Sequence, residues 1–280
     1  MEKIIDGETL SLGIQDNIKK EIKSCMIRPS VAVIQVGDNK SSDSYIKRKE
    51  AACNNVGVYF RLYKFDEGTP ELTIINKIKE LNNDEYVNGI LVQLPLPEQY
   101  NEKRIVNSII NSKDVDGLTD INVGRMINGK KTLIPCTPLG IMKMLEEYEV
   151  DLAGKHVVIV GRGKLVGRPL ITLMLAKDAT VTVCHSKTAN LSEMTKQADV
   201  LVCACGVPKL ITADMVKDGV VVIDAGISHE DGKICGDVVF DEVSKKASLI
   251  TPVPKGVGPM TVAMLLQNII TCYNNKNTTK

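Results

Sequence analysis

The sequence predicts an α/β protein of two domains, each with a parallel sheet. Two observations predict this class. Short apolar segments rich in β-branched residues alternate with segments of helical periodicity in both halves of the 280-residue chain, which is the pattern of βαβ units. In mid-chain, at 156–169, an apolar strand runs into a glycine-rich turn and then a helical segment, as in dinucleotide-binding domains. The chain before this turn is long enough for a separate domain.

The predicted elements of the first half alternate regularly. The first strand is an apolar run that ends at Gly37, the helix after it stops at Gly57, and the third strand is cut short by Pro95 and Pro97. The predicted strands are 30–36, 58–64 and 89–93, and the predicted helices are 42–56, 70–82 and 101–111. Strands that alternate with helices in this way favour a parallel sheet.

The same alternation continues through the second half. A helix at 138–148 links the two halves, and a helix at 259–273 precedes a polar tail at 274–280. Between them the pattern predicts strands at 156–160, 180–184, 199–203, 220–224 and 248–250, and helices at 168–177 and 191–197. The second half is therefore predicted to hold a parallel sheet of its own.

Three glycines, Gly161, Gly163 and Gly167, follow the strand at 156–160. Glycines let backbone N–H groups approach a pyrophosphate, and the N-terminus of the next helix supplies partial positive charge. The spacing is one residue longer than the common G-x-G-x-x-G, and βα turns without a ligand also contain glycines. The glycines alone therefore leave both interpretations open.

The segment after the next strand favours NADP over NAD as the cofactor. A site for NAD usually places an acidic residue here to bind the ribose 2′-OH. The chain instead has His185, Ser186 and Lys187 after the strand at 180–184, and Arg162 lies inside the glycine turn. Basic groups and a hydroxyl suit a 2′-phosphate. The alternative is that His185 and Lys187 are solvated loop residues.

Composition excludes several classes of partner. The net charge is +1, and no basic stripe or aromatic platform is present, so we expect no nucleic-acid binding. No apolar run is long enough to span a membrane, and the N-terminus does not resemble a signal peptide, so we expect a soluble cytoplasmic protein without membrane contact. The eight cysteines and three histidines show no metal-ligand spacing, which favours packed, reduced thiols and no metal site.

A helix in the first half carries candidate catalytic residues. Tyr45 and Lys49 are four residues apart and Ser42 is three before Tyr45, so the three side chains share one helix face. A lysine beside a tyrosine in a cleft can serve as a proton shuttle. An ordinary solvated helix face has the same spacing, so the pattern alone does not decide between these interpretations.

Other polar residues follow the strands of this half. Gln93 ends the third strand next to two prolines, at the edge where open α/β sheets bind ligands. Asp114 and Asp116 lie in a tight turn, where a carboxylate is either an ordinary turn residue or a partner for the amino groups of a nitrogen heterocycle. The stiff proline-rich turns at 135–138 and 251–259 are either chain reversals or functional loops.

Taken together, these segments resemble one enzyme family. The motifs Ser42…Tyr45…Lys49, VQLPLP, KDVDG, PCTP, GRGKLVGRP, CHSKT and TPVPKGVGPMTVAML occur in this order from about residue 30 to residue 270. This series resembles the bifunctional methylenetetrahydrofolate dehydrogenase/methenyltetrahydrofolate cyclohydrolases, the FolD type. The resemblance implies oxidation of 5,10-methylenetetrahydrofolate with NADP⁺, followed by hydrolysis to 10-formyltetrahydrofolate, in one-carbon metabolism.

The resemblance also implies a domain organisation. A catalytic folate-binding domain would comprise 1–138 and 262–280, and a Rossmann-type NADP-binding domain would comprise 139–261. The two domains would flank a cleft, and the C-terminal helix would return to the first domain. Two copies of the chain would form a homodimer through their NADP domains.

The same resemblance implies roles for single residues. Lys49 matches the family's catalytic lysine, Gln93 the glutamine that contacts it, and Tyr45 the tyrosine over the folate ring system. Asp116 matches the aspartate that anchors the pterin. The further substrate contacts that it implies are Ser42, Gly258 and Pro259, and the cofactor contacts are Gly161, Arg162, Gly163, Ser186 and Ile227.

The chain departs from the family pattern at two positions. Gly163 stands where the family generally has serine, which removes a hydroxyl beside the cofactor phosphates. Lys255 stands where the family usually has glycine, which adds a charge at the folate site and calls for an unusual backbone angle.

Two other functions compete with this interpretation. Tyr45 and Lys49 form the Tyr-x-x-x-Lys of short-chain reductases, but in that group the glycine turn precedes the Tyr-Lys pair, and here it follows. A non-catalytic NADP-binding regulator is the other alternative. The presence of Lys49, Gln93 and Asp116 together disfavours it.

Overall fold

The computed structural model describes residues 3–230 and 232–278. By contact density the chain divides into two compact units. We call Leu12–Cys136 with Val262–Lys280 the three-stranded unit, and Met1–Ser11 with Thr137–Thr261 the five-stranded unit. The last two residues of the predicted polar tail, 279–280, lie outside the described residues.

The three-stranded unit is built on a parallel sheet in the order β2-β1-β3. The central strand is buried at every residue because it has a neighbour on each side and helices over it. Helix α3 places Ile74, Ile78 and Leu81 on one face, and this face joins the core under the sheet. The strands are β1 (Ser30–Val36), β2 (Tyr59–Phe65) and β3 (Gly89–Val92); the first five helices of the chain are α1 (Gly7–Lys23), α2 (Lys40–Val56), α3 (Glu71–Asn83), α4 (Glu102–Val106) and α5 (Asp120–Ile127).

The five-stranded unit holds a second parallel sheet, in the order β10-β7-β6-β4-β5. An antiparallel hairpin of β8 and β9 follows β7. The strands are β4 (His156–Val160), β5 (Thr180–Cys184), β6 (Val200–Cys203), β7 (Val221–Asp224), β8 (Ser228–Glu230), β9 (Lys233–Cys235) and β10 (Leu249–Ile250). The remaining helices are α6 (Cys136–Glu147), α7 (Gly167–Leu175), α8 (Leu191–Thr195), α9 (Phe240–Val243) and α10 (Val257–Thr278).

The strand order of the second sheet creates a switch point at β4. The chain runs from β4 to its neighbour β5 on one side and then crosses to β6 on the other side. Connections that leave a strand in opposite directions open a crevice at the carboxyl ends of the strands, where doubly wound folds bind ligands. The loops that follow β4 and β6 lie at this switch point.

The predicted α/β class with two parallel sheets is confirmed, and so is the return of the last helix, since α10 runs from the five-stranded unit into the three-stranded unit at Val262. Sequence patterns missed α1, α5, the four-residue α9 and the hairpin. Helix α1 contains Gly13 and helix α5 contains Gly124, and an internal glycine weakens the helical signal. The helix predicted at 101–111 is shorter, because α4 ends at Val106.

The N-terminal residues group with the five-stranded unit, whereas the predicted catalytic domain starts at residue 1. Ile4 extends the sheet beside β10. The Ile5 N–H donates to the Ile250 carbonyl at 2.9 Å, and the Ile250 N–H donates to the Lys3 carbonyl at 2.9 Å. These bonds join backbone groups that every residue except proline has, so the pattern of side chains in the sequence does not reveal them.

Two further observations concern the described residues as a whole. In the parts of the chain that the structure describes, no helix combines the length and the apolar character that crossing a membrane requires. Residues 3–230 and 232–278 also contain no group of three His, Cys, Asp or Glu side chains arranged to hold a metal ion.

Lys255 adopts the left-handed backbone conformation that favours glycine, with φ of 85°. Its ammonium forms an ion pair with the Glu8 carboxylate at 3.1 Å, but both side chains are largely exposed. Exposed ion pairs contribute about 0–1 kcal/mol, so this pair only partly offsets the backbone strain.

We expect Lys255→Gly to be more stable than Lys255→Ala by about 1 kcal/mol, because only glycine relieves the strain. Urea unfolding of the two variants measures the difference. The matched control is Lys155, an exposed residue without a positive φ, where alanine should be the more stable replacement. Equal stability of Lys255→Gly and Lys255→Ala would contradict the strain at this position.

Candidate active site and cofactor site

Lys49 and Gln93 meet at the carboxyl end of the first sheet. Lys49 lies on α2, and its Nζ donates to Gln93 Oε1 at 3.0 Å. Gln93 directly follows β3 and is buried, and its own amide donates to the Leu94 carbonyl at 2.7 Å. That second bond fixes the amide so that its oxygen faces the lysine. The predicted contact between these two side chains is therefore present.

Tyr45 lies one helical turn before Lys49 on α2. It is partly buried, and burial raises the pKa of its hydroxyl, so the group stays protonated and can donate a hydrogen bond at neutral pH. The Arg48 guanidinium lies 6.0 Å from the centre of the ring. Ser42 is buried in the first turn of the same helix. The structure thus retains the shared face of Ser42, Tyr45 and Lys49 that the spacing predicts.

The two acids of the KDVDG turn have different surroundings. Asp114 is buried, and its Oδ2 accepts from the Thr119 N–H at 2.8 Å and from Asn122 Nδ2 at 2.9 Å. Asp116 is partly exposed, and burial of its carboxyl group raises its pKa, while the positive charge of Lys49 opposes that rise. Asp114 therefore has a structural role, and Asp116 is the acid available to a ligand.

Cys136 and Asn268 hold the turn that carries Asp116. The Cys136 thiol donates to the Val115 carbonyl at 3.4 Å and lies 3.5 Å from Asp116 Oδ1. Asn268 on α10 donates to the Val115 and Ile134 carbonyls at 2.9 and 3.0 Å. In the sequence, Cys136 stands out only as part of the stiff turn at 135–138. Asn268 carries no local signal, because its partners lie more than 130 residues away in the chain.

The glycine turn in the five-stranded unit is tightly packed at two of its three glycines. Gly161 follows β4 with φ of 122°, and a Cβ there would overlap the Ala204 carbonyl in the loop after β6. A Cβ at Gly167, the first residue of α7, would overlap the Gly161 carbonyl. Gly163 has open space at the position of a Cβ. Gly161 and Gly167 are therefore required by packing, and Gly163 is not.

Arg162 and Ser186 lie at the same edge of the second sheet, because they follow the paired parallel strands β4 and β5. Both residues are exposed. Arg168 Nε donates to the Arg162 carbonyl at 3.2 Å, which fixes the backbone of the turn. The His185 N–H donates to Thr188 Oγ1 at 2.8 Å and shapes the loop around Ser186.

Ile227 lies in the loop between β7 and the hairpin, and 44% of its surface is exposed. Gly258 and Pro259 lie in the first turn of α10. Next to them, the hydroxyls of Thr137 and Thr261 lie 3.0 Å apart. The structure thus describes every residue of the predicted site, each within its own unit.

Comparison with known proteins identifies the family. A family model described as the tetrahydrofolate dehydrogenase/cyclohydrolase NAD(P)-binding domain matches residues 135–277, and one described as the catalytic domain matches residues 5–116. The chain belongs to this family. The bifunctional protein FolD of Nautilia profundicola is 49% identical to it over 276 residues, which is 97% of each chain.

Solved structures of members of the tetrahydrofolate dehydrogenase/cyclohydrolase family agree with this fold. The bifunctional FolD enzyme of Campylobacter jejuni is 49% identical, with a TM-score of 0.96 over 98% of this chain and 99% of that one. The Trypanosoma brucei enzyme, described as a complex with NADP and an inhibitor, is 33% identical, with a TM-score of 0.94 over 98% of both chains. Membership of this family decides against the short-chain reductase interpretation of Tyr45 and Lys49.

The NAD(P)-binding domain of a tetrahydrofolate dehydrogenase/cyclohydrolase has to hold a pyrophosphate, and the glycine turn fits this group. Gly161 and Gly167 bring the backbone close to the loop after β6 and to the first turn of α7. Helix α7 has nine residues and begins at Gly167, so the partial positive charges of its N-terminus lie at this turn. Arg162 adds a permanent positive charge beside them.

We expect Gly161→Ala and Gly167→Ala to destabilise the protein by about 1–3 kcal/mol each, because their methyl groups would overlap backbone carbonyls. Gly163→Ala is the matched control within the same turn, and it should change stability by no more than about 0.5 kcal/mol. Urea or thermal unfolding of the three variants measures the effects. A loss at Gly163 equal to that at Gly161 would show that the turn is packed differently.

Proposed function

We propose that this protein oxidises 5,10-methylenetetrahydrofolate to 5,10-methenyltetrahydrofolate with NADP⁺ and then hydrolyses the product to 10-formyltetrahydrofolate. The observation that carries the proposal is the Lys49–Gln93 hydrogen bond, which lies close enough to Asp116 for the lysine charge to act on that carboxylate. A non-catalytic NADP-binding protein would have no use for this arrangement. The FolD name and the two-domain family match support both activities.

The oxidation step needs placement more than acid–base chemistry. When bound, NADP⁺ accepts a hydride at the nicotinamide C4. The methenyl product is a cation that the two neighbouring nitrogens stabilise, so the step needs no strong acid or base from the protein. The residues of the folate site therefore act mainly by orienting the substrate, which is a large source of rate acceleration.

The hydrolysis step needs proton transfers, and Lys49 is the group that we assign to them. Water adds to the methenyl carbon and loses both of its protons as the formyl C=O forms. The bond from this carbon to N5 breaks, N5 takes up one of the protons, and the other is released to solvent. Lys49 Nζ moves protons between the water and the nitrogen, and Gln93 fixes the position of the amine. Tyr45, whose hydroxyl is held protonated, lies on the same helix face and would cover the folate ring system.

The pterin ring would be anchored by Asp116. Its carboxylate can accept hydrogen bonds from the amino and ring N–H groups of the heterocycle. Asp114 is not available for this role because Thr119 and Asn122 occupy it. Ser42, Gly258 and Pro259 are the further substrate contacts that we propose.

For the cofactor we propose contacts at Gly161, Arg162, Gly163, Ser186 and Ile227. Arg162 and the Ser186 hydroxyl follow neighbouring strands and suit a 2′-phosphate, and the loop at 185–190 contains no carboxylate to bind a 2′-OH. These features support NADP rather than NAD as the preferred cofactor.

We further propose that the chain forms a homodimer through the five-stranded units. Strand β5 is the edge of that sheet and is only partly covered, which leaves it available for a second copy. We propose a cytoplasmic location, which eight free cysteines support. The near-neutral net charge of +1 supports the proposal that neither nucleic acid nor a membrane surface is a partner.

We expect Lys49→Met to lower the cyclohydrolase rate by about 10²–10⁴-fold, because the positioned proton shuttle is lost. Binding of folate and of NADP should persist in the variant. The assay follows conversion of methenyltetrahydrofolate to 10-formyltetrahydrofolate. Lys47→Met is the control, since Lys47 is exposed on the same helix. A nearly normal rate in Lys49→Met would refute the assignment.

We expect Asp116→Asn to raise the KM for methylenetetrahydrofolate about 5- to 150-fold, since a lost charged acceptor leaves pterin donors unpaired. In the wild type, burial raises the pKa of Asp116 above the ordinary range of a carboxyl group. The KM should therefore rise as the pH falls through that raised pKa, and it should rise less in Asp116→Asn. Asp120→Asn, at an exposed acid paired with Lys103, should change neither quantity. A parallel loss of NADP affinity would indicate misfolding.

We expect the wild type to prefer NADP over NAD by at least about tenfold in kcat/KM, because two charge-assisted bonds to the 2′-phosphate exceed 1.4 kcal/mol. Arg162→Ala should remove most of this preference by weakening NADP alone. Lys177→Ala, an exposed change in the same unit, should leave the preference unchanged.

Gly163→Ser supplies the opposite change in the same experiment. The open space at this position accommodates the side chain, and the added hydroxyl should tighten NADP binding roughly two- to tenfold. Equal kcat/KM values for NAD and NADP in the wild type would refute the proposed cofactor preference.

A further inference from the structure

Two buried carboxylates that the proposed chemistry does not use lie at the carboxyl edge of the second sheet. Asp224 ends β7, and Asp237 follows the hairpin, and both are almost completely buried. Burial raises the pKa of Asp224 to about 6, so keeping it ionised at neutral pH costs free energy. Such a cost calls for a compensating role in the fold or in the function.

Asp224 closes the loop that carries the hairpin. Its Oδ1 accepts from the N–H groups of Gly226 and Asp237, each at 3.0 Å. Its Oδ2 accepts from the Val238 N–H at 3.0 Å. One carboxylate thus binds the backbone at both ends of the segment 225–236.

Asp237 ties this segment to a different loop. Its Oδ2 accepts from the N–H groups of Cys205 and Gly206 at 2.8 and 3.1 Å, and from the Cys205 thiol at 3.2 Å. Among the side chains that the structure describes, Asp237 Oδ1 is the one buried oxygen or nitrogen without a hydrogen-bond partner. The carboxylate therefore directs Oδ2 towards the loop after β6, and this orientation leaves Oδ1 buried without a hydrogen bond.

Each carboxylate is packed against a glycine of the same segment. A Cβ at Gly226 would overlap the Asp237 carboxylate, and a Cβ at Gly236 would overlap the Asp224 carboxylate. The pairs Asp224–Gly236 and Asp237–Gly226 therefore interlock. The base of the segment 225–236 has little freedom to move without breaking several charge-assisted bonds.

This assembly adjoins the proposed cofactor site on two sides. Ile227, a proposed cofactor contact, directly follows Gly226. Cys205 directly follows Ala204, the residue whose carbonyl packs against Gly161 of the glycine turn. The loops on either side of Asp237 are thus the loops after β6 and β7, which end at the ligand-binding edge of the sheet.

We propose that Asp237, supported by Asp224, is a positioning residue for the cofactor: it fixes the loop after β6 against the loop that carries Ile227, and NADP affinity depends on this connection. The inference rests on the proposed cofactor contacts and deepens them. A purely structural role would change stability alone, whereas a positioning role changes the affinity for NADP and leaves the folate site unaffected.

The test uses two substitutions at Cys205 that change one hydrogen-bond donor to Asp237, the Cys205 thiol. Cys205→Ala loses the thiol donor, and Cys205→Ser restores a hydroxyl donor. We expect Cys205→Ala to weaken NADPH binding, measured by fluorescence titration, roughly two- to tenfold. Cys205→Ser should stay within about twofold of the wild type.

Asp237→Asn should have the larger effect and weaken NADPH binding by about tenfold or more. A hydrogen bond to a charged acceptor is stronger than one to a neutral acceptor, so the substitution weakens all the bonds that hold the loop after β6. The KM for methylenetetrahydrofolate and the cyclohydrolase rate should stay within about twofold in the folded variants. Asp241→Asn, at an exposed acid on α9, is the matched control and should leave NADPH binding unchanged.

Unchanged NADPH affinity in Cys205→Ala and in folded Asp237→Asn would overturn the proposal. An equal rise in the KM for methylenetetrahydrofolate and in the dissociation constant for NADPH would also overturn it, because the substitution would then disturb the whole protein and not the cofactor site alone. Should Asp237→Asn fail to fold, the Cys205 pair decides by itself. Failure of the proposed function has a different signature, since the wild type would then show no NADP-dependent oxidation and no response to Arg162→Ala.

Discussion

The direction of the strands is the constraint on which the rest of this structure depends. In a parallel sheet every strand ends at the same edge, so residues that follow different strands meet although they are far apart in the chain. Gln93 follows β3 and faces Lys49 on the helix after β1. In the second sheet the glycine turn, Ser186 and the loops tied by Asp237 follow β4, β5, β6 and β7. Each unit thus brings its proposed site residues together at one edge of its sheet, although no local sequence motif specifies those contacts.

Four aspartates of this protein differ in the hydrogen-bond donors around them, and this difference gives identical side chains different chemical roles. Asp114, Asp224 and Asp237 accept backbone N–H groups, and this holds loops in place. Among the residues that the structure describes, the donor to Asp116 is the weak thiol of Cys136, and the Lys49 charge acts on the same carboxylate. A carboxylate that lacks strong internal partners remains available to a ligand, and this difference separates the acid that we propose to bind the pterin from the structural acids.

The two departures from the family pattern have different physical consequences. Gly163 lies in open space, so the glycine there is not required by the backbone and a serine would fit. Lys255 takes a backbone angle that glycine adopts freely, and its ion pair with Glu8 offsets part of the strain. The first departure therefore concerns the ligand, and the second concerns stability.

The sequence by itself determined the α/β class, the positions of most strands, the glycine turn and the shared face of Ser42, Tyr45 and Lys49. These features follow from local sterics and from hydrophobic periodicity, which act over a few residues. Only the tertiary structure decided that the N-terminal residues join the second sheet, that Asn268 holds the turn of Asp116, and that Asp237 ties two loops together. Each of these depends on hydrogen bonds between residues 31 to 247 positions apart, and the choice of such a partner is fixed by packing rather than by any local pattern.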